Sequence, residues 1–177
     1  MGFSFDVVAP DVDDELAFLD KDDIRGSLQR LAREKTKGAA ARHPDALVLG
    51  ADTIVVCGGS ILGKPRGAAD ARAMLNRLKG RRHFVYSAVA LACGEDGFFK
   101  SRVEKTRVFF RDIDEREIES YIDSGEYADK AGAYAIQGSA MVFVQKIDGC
   151  FFNVVGLPIS ATISLFNAYM TRKESHV

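Results

Sequence analysis

The chain has 177 residues, of which 47% are hydrophobic and 28% charged, and these values predict one domain over residues 1–177 with a core of ordinary size. Its formal net charge of -1 gives no reason to expect binding to nucleic acid or to an anionic membrane. The three cysteines (Cys57, Cys93 and Cys150) are scattered, which is typical of a reducing compartment. No apolar run approaches the roughly 18 residues of a membrane span, so we expect a cytoplasmic protein without membrane partners.

The chain is expected to open with a strand and an acidic segment. Residues 3–8 alternate between apolar and polar side chains, which is the period of a half-buried strand. The acids of residues 11–15 alternate as in a calcium-binding loop, but Leu16 stands where such a loop requires glycine. Two interpretations stay open for this segment, a solvated loop and a site that positions a metal or a water.

A long helix should follow, with Asp22 or Asp23 as its N-cap and its end near Arg42. Lys35 falls on the apolar face of this helix. A lysine at such a position either extends past the edge of the core or carries its ammonium into a site that holds anions. The pattern alone favours neither interpretation.

The next strand, residues 46–57, is apolar except for Asp52, and an ionised aspartate in a buried strand is costly unless it is paired or binds a metal. The glycine pair 58–59 predicts a two-residue hairpin loop. That register would place Lys64 opposite Thr53 and turn Asp52 to the other face of the sheet. A three-residue loop would instead put Lys64 and Asp52 on one face.

The rest of the chain alternates between helical and extended patterns. The expected elements are a helix over 68–78, a central strand over 83–92, a strand or strand pair over 98–111, a helix capped by Asp114, a hairpin of strands 141–147 and 150–155, and a last helix from Pro158. Residues 129–138 differ from the rest of the chain in composition, because glycines and small residues flank a charged pair and Gln137. Such glycines let the backbone approach a ligand or another strand, although Gln137 could equally cap a loop.

Five short motifs occur in one order along the chain. They are L-A-R-E-K at 31–35, G-A-D-T at 50–53, L-G-K-P at 62–65, D-K-A-G-A-Y-A-I-Q-G at 129–138 and N-V-V-G-L-P at 153–158. In this order the chain resembles the Maf-like family of nucleoside triphosphate pyrophosphatases from about Phe3 to the last helix. The resemblance implies a mixed α/β fold with an elongated twisted sheet, flanking helices and two lobes around a cleft. It also implies a homodimer.

The same resemblance implies an activity. It is the metal-dependent hydrolysis of dTTP or UTP between the α- and β-phosphates, which gives the nucleoside monophosphate and pyrophosphate. The catalytic residues of the family match Asp52, Lys35 and Lys64. The positions associated with choice of base match Thr53 and Gln137, and this pair resembles the subgroup that acts on dTTP and UTP.

Two departures from the family pattern affect these expectations. The phosphate-gripping S-x-S-x-R-R segment of the family has no counterpart in a chain that opens at residues 1–3, so a catalytically impaired nucleotide-binding or regulatory protein is the alternative expectation. The acidic residue that follows in the family is usually Glu, whereas gapless matching puts Asp14 there, with Glu15 one step away. Asp14, Glu15 and Asp52 are therefore the candidate ligands for Mg²⁺ or Mn²⁺.

Overall fold

The structure is a computed structural model that describes residues 4–9 and 15–175, without the side chain of Leu16. The helices in these ranges are α1 (Ile24–Arg42), α2 (Ala68–Leu78), α3 (Glu115–Asp123), α4 (Phe151–Val155) and α5 (Ile159–Glu174). The strands are β1 (Leu47–Cys57), β2 (Ser60–Leu62), β3 (Arg82–Cys93), β4 (Phe98–Phe110) and β5 (Val144–Asp148). Short 3-10 helices cover Glu15–Phe18, Ala131–Ala133 and Ser139–Phe143.

The strands form one sheet in the order β2-β1-β3-β4-β5, and every pairing between them is antiparallel. The strand β3 is largely buried and lies in the middle of the sheet, as its apolar sequence predicts. Helices flank the sheet, and the α/β class is thereby confirmed. None of the helices in the described ranges combines the length and the hydropathy needed to cross a bilayer.

The hairpin between β1 and β2 has the predicted two-residue loop. Cys57 pairs with Ser60, and both loop glycines have the positive φ that a tight hairpin turn requires, 57° for Gly58 and 76° for Gly59. The strand β2 ends at Leu62 and pairs only with the last three residues of β1. Among the residues that the structure describes, the preceding part of β1 therefore has a paired strand on one side only, which is β3.

Helix α1 covers one face of the sheet. It begins where the sequence predicts, because the side chain of Asp23 accepts a hydrogen bond from the Gly26 N–H at 2.9 Å. Leu28 and Ala32, on its buried face, pack on β1, β3 and β4. The strand residues in this cluster are Ile54, Val56, Ala88, Ala90 and Val103. Burial of one such leucine contributes about 1.5–3 kcal/mol, so this contact fixes α1 firmly against β1.

The opposite face of the sheet holds a larger apolar cluster. It joins β1, β3 and β4 to α2, α3 and residues 133–143. Its buried members include Val55, Leu75, Val85, Val108, Ile118 and Tyr134. A third cluster packs α5 against β3 and β4 through Leu91 and Leu165. The two faces of β1 are therefore held by different parts of the chain, α1 on one side and the segment after α3 on the other.

The strand predicted at the start of the chain is wrong for the residues that the structure describes. Residues 4–9 have no regular secondary structure. The side chains of Phe5 and Val7 are 81% and 89% exposed. An alternating pattern gives a strand only where a neighbouring strand and a buried face receive it, and the described part of the chain provides neither for 4–9. Phe3, which shares the pattern, lies outside the described residues.

The hairpin predicted over 141–155 is also wrong. Only β5 is extended, and residues 151–155 form a single helical turn, α4. Asn153 explains the helix, because its side-chain amide donates hydrogen bonds to Val85 O at 3.0 Å and to Thr106 Oγ1 at 2.9 Å. These bonds anchor the turn to β3 and β4, and tertiary contacts of this kind override the β propensity of aromatic and β-branched residues.

Candidate active site

Helix α1 approaches β1 closely at Gly50. A Cβ atom at this position would overlap the hydroxyl of Thr36, which is buried and donates to Ala32 O at 2.7 Å. Only glycine permits this spacing. Lys35 precedes Thr36, and Asp52 follows Gly50 by two positions, so the close contact brings a lysine of the helix to an aspartate of the strand.

Lys35 ends between two carboxylates. Its Nζ donates to Glu15 Oε1 at 2.6 Å and also to Asp52 Oδ1. The side chains of Lys35 and Asp52 are 11% and 8% exposed, so this ion pair is largely shielded from water. Of the two interpretations of Lys35, the structure supports the one in which its ammonium enters a polar site.

The second carboxylate oxygen of Asp52 has no such partner. Within the described residues, Asp52 Oδ2 is buried and accepts no hydrogen bond. Burial raises the pKa of Asp52 above its usual value, and the hydrogen bond from Lys35 only partly offsets this effect. Burial alone would lower the pKa of Lys35, but its hydrogen bonds to Asp52 and Glu15 outweigh burial and raise that pKa. The site therefore holds a firmly charged lysine beside a carboxylate with a free oxygen.

Asp52 and Thr53 point to opposite faces of β1, yet both line one cavity of about 490 Å³. This is possible because β2 stops at Leu62 and leaves this part of β1 at the edge of the sheet. The cavity wraps around that edge. Lys64 lies beyond the end of the ladder and lines the same cavity. Its charge lowers the pKa of Asp52, against the effect of burial, although no hydrogen bond or ion pair among the described contacts joins the two.

The cavity collects most of the sequence-predicted site residues. Those that line it are Glu15, Lys35, Asp52, Thr53, Lys64 and Gln137. Gln137 is exposed. Asp14 lies outside the described residues. A cavity of this size is within the range of small-molecule sites, about 300–1,000 Å³.

The segment 129–137 forms the opposite wall of the cavity. The N–H of Gly132 donates to Gly63 O at 2.9 Å, which ties the segment to the end of β2. Asp129, Gly132 and Ala133 have positive φ values of 58°, 69° and 61°. Left-handed backbone at non-glycine residues is costly and is often found at functional sites. The glycine and small residues that marked this segment in the sequence thus serve a close backbone contact beside the cavity.

Two charged residues of this wall were not among the predicted site residues. Asp129 and Lys130 both line the cavity, and both are exposed. The signal was present in the sequence as a charged pair next to small residues. With Lys130 the cavity has three lysines, and with Asp129 it has three carboxylates.

Behind the wall, His83 is fully buried. Its Nε2 lies 2.9 Å from the hydroxyl of Tyr134, a residue that lines the cavity. Burial lowers the pKa of His83 to about 4, so the imidazole is neutral near pH 7. His83 supports the wall from within the core.

The donor set of the cavity fits a magnesium or manganese ion that also binds phosphate. Among the described residues no three His, Cys, Asp or Glu side chains are grouped as a complete metal site. Mg²⁺, however, is often bound by one or two carboxylates together with substrate phosphates and waters. Glu15 and Asp52 supply two carboxylates at one ammonium, and the unpartnered Asp52 Oδ2 is a free ligand atom.

Similarity to known proteins bears directly on this cavity. A family model described as Maf-like protein matches residues 1–169. The chain belongs to the Maf-like family. Curated Maf-like relatives include the dTTP/UTP pyrophosphatase of Syntrophomonas wolfei subsp. wolfei, which is 51% identical over 136 residues, 77% of this chain and 72% of that protein.

Two further relatives carry the same name. The dTTP/UTP pyrophosphatase of Myxococcus xanthus is 52% identical over 136 residues, 77% of this chain and 68% of that protein. The dTTP/UTP pyrophosphatase of Symbiobacterium thermophilum is 41% identical over 169 residues, 96% of this chain and 85% of that protein. In the Maf-like chain described here, each of the five sequence motifs contributes at least one residue to the lining of the cavity.

Proposed function

We propose that this Maf-like protein hydrolyses dTTP and UTP to the nucleoside monophosphate and pyrophosphate. The observation that carries the proposal is the arrangement of Lys35, Asp52 and Glu15 in a cavity that also contains Lys64 and Lys130. A chain with a formal net charge of -1 must meet the charge of a triphosphate with locally placed cations, and this cavity contains three lysines. The names of the relatives agree with this substrate class.

The chemical step is assigned to Asp52. Water attacks the α-phosphorus, so that an O–P bond forms and the bond from that phosphorus to the bridging oxygen breaks. Pyrophosphate leaves with the electron pair of that bond. Asp52 Oδ2 accepts the proton of the attacking water, since Oδ1 is held by Lys35 and Oδ2 is free. The raised pKa of Asp52 makes its carboxylate a better proton acceptor than an exposed aspartate.

The lysines have different tasks in this proposal. Lys35 is largely buried and donates a hydrogen bond to each of the two carboxylates, so it orients them. Lys64 and Lys130 are exposed at the cavity and offer point charges to the phosphates. Stabilising the charge that develops on the leaving pyrophosphate is the larger effect in phosphate chemistry of this kind.

A divalent cation, Mg²⁺ or Mn²⁺, would be held by Glu15, with Asp14 as the additional ligand expected from the sequence, while Asp52 keeps its free oxygen for the proton. When bound, it would neutralise phosphate charge and polarise the bond to be broken. Thr53 and Gln137 would contact the base. The amide of Gln137 can donate an N–H to O4 of uracil and thymine.

The test is pyrophosphate release from a panel of triphosphates (dTTP, UTP, CTP, GTP and ATP) with MgCl₂. We expect release from dTTP and UTP above the others. Absence of release at high enzyme concentration, together with thermal stabilisation by dTTP, would instead support the nucleotide-binding alternative. The expected homodimer stays a prediction, and sedimentation velocity of the same preparation checks it.

A further inference from the structure

A chain of buried hydrogen bonds leads away from Thr53 into the sheet. Thr53 Oγ1 lies 2.7 Å from Ser87 Oγ on β3. Ser87 Oγ donates in turn to the backbone oxygen of Asn153 at 3.0 Å. Ser87 and Asn153 are both fully buried. Thr53 thus joins the cavity to a polar network in the core, and neither Ser87 nor Asn153 belongs to the site residues described above.

The orientation of the Asn153 side-chain amide in this network is fixed by its partners. Its amide nitrogen donates to Val85 O, and a carbonyl oxygen can only accept, so this assignment of the amide is settled. The same nitrogen donates to Thr106 Oγ1, which also accepts from Cys150 N at 3.0 Å and donates to Cys150 O at 3.1 Å. These bonds hold α4, and with it the carbonyl of Asn153, against Ser87.

The direction of each proton follows from this orientation. A serine hydroxyl has one proton, and that of Ser87 is used on the carbonyl of Asn153. Between Thr53 and Ser87, therefore, Thr53 is the donor and Ser87 the acceptor. The other acceptor near Thr53 Oγ1, Gly156 O, is farther away at 3.3 Å, so Ser87 at 2.7 Å is the partner that holds the proton of Thr53. With its proton held by Ser87, Thr53 Oγ1 has only its lone pairs left for a ligand.

We propose that Ser87, held by the carbonyl of Asn153, is a positioning residue that makes Thr53 a hydrogen-bond acceptor and so selects a substrate with an N–H group at this position. The proposal rests on the proposed function. Uracil and thymine carry a proton on N3, whereas N3 of cytosine has a lone pair. A cytosine placed in the same pose would set two acceptors against each other, and an unmet hydrogen bond of this kind costs about tenfold to a hundredfold in kcat/KM.

The experiment compares kcat/KM for UTP and CTP in the wild type and in Ser87→Ala. Loss of Ser87 Oγ frees the Thr53 hydroxyl to donate, so the UTP:CTP ratio should fall by about tenfold. Thr53→Val should reduce the ratio as well, and Thr53→Ser should keep it. The matched control is Ser27→Ala, because Ser27 is a buried serine on α1 whose hydroxyl donates to Asp23 O at 2.7 Å, outside the cavity.

A change in the UTP:CTP ratio of kcat/KM separates this role from a merely structural one, since a destabilised enzyme loses activity on both substrates to the same extent. N3-methyl-UTP tests the wild type directly and should be hydrolysed at least about tenfold less efficiently than UTP, even if Ser87→Ala does not fold. If UTP is hydrolysed but Ser87→Ala has an unchanged UTP:CTP ratio, the inference about Ser87 is refuted and the proposed function stands. The same holds if the wild type hydrolyses N3-methyl-UTP as efficiently as UTP. Absence of hydrolysis of both UTP and dTTP overturns the proposed function.

Discussion

The contact between Gly132 and β1 gives a prediction that tests how the wall of the cavity is held. A Cβ atom at Gly132 would lie 2.9 Å, 3.0 Å and 3.1 Å from three side-chain carbons of Val55, and its φ of 69° disfavours any other residue. The left-handed backbone costs about 1–2 kcal/mol for alanine, and overpacking against Val55 about 1–3 kcal/mol more. Gly132→Ala should therefore lose about 2–5 kcal/mol of unfolding free energy.

Thermal and urea unfolding of Gly132→Ala and Gly125→Ala separate the two costs. Gly125 has a similar φ of 74°, but a Cβ there would meet nothing within 4 Å. The midpoint of Gly132→Ala should lie lower than that of Gly125→Ala by about 2–12 °C, at 2–4 °C per kcal/mol for a chain of this size. Adding Val55→Ala should recover part of the loss, as a favourable coupling in the double-mutant cycle. Equal midpoints for the two glycine variants would refute the packing argument.

Three further predictions follow from the site. Burial lowers the pKa of His83 to about 4 from an unfolded value of 6.5, so the free energy of unfolding should fall by about 3 kcal/mol as the pH decreases from 6.5 to about 4. Urea unfolding at pH 7 and pH 4 measures this fall, and His83→Phe should lack the part of it that comes from His83. Lys130→Ala should raise the KM for dTTP, whereas Lys146→Ala, an exposed lysine on β5, should not; equal KM values would remove Lys130 from the phosphate site. Gly50→Ala should displace α1, misplace Lys35 and so lower kcat for dTTP by about tenfold to a hundredfold. A kcat equal to that of the wild type would show that the close contact between Gly50 and Thr36 is not needed.

Long elements with clear periodicity were predictable from the sequence. Helix α1 has the predicted N-cap and end, and β1, β3 and β4 follow the predicted strands within a residue or two. The hairpin register was predictable because two consecutive glycines permit few turns. The helical turn at 151–155 was not predictable from the sequence. Its aromatic and valine residues suggest a strand, and only the contacts of Asn153 with distant strands make it a helix.

The candidate site was likewise predictable from the sequence only in part. The positions of Lys35 and Asp52 could be inferred, since a charge on an apolar face needs a partner and the motifs resemble a known family. Their contact could not be derived from periodicity, because it depends on the approach of α1 at Gly50. The register argument for Lys64 held as far as Leu62 and then no longer applied, because β2 ends there. Ser87 is 66 positions from its acceptor Asn153, and no local pattern connects such residues.

The central claim is that Asp52 performs pyrophosphate release from dTTP, and Asp52→Asn tests it most directly. Asparagine has the same shape and can still accept a hydrogen bond from Lys35, but it cannot accept a proton. Its kcat for pyrophosphate release should fall by about 10²- to 10⁴-fold. Release of pyrophosphate by Asp52→Asn at a rate close to that of the wild type would contradict the account.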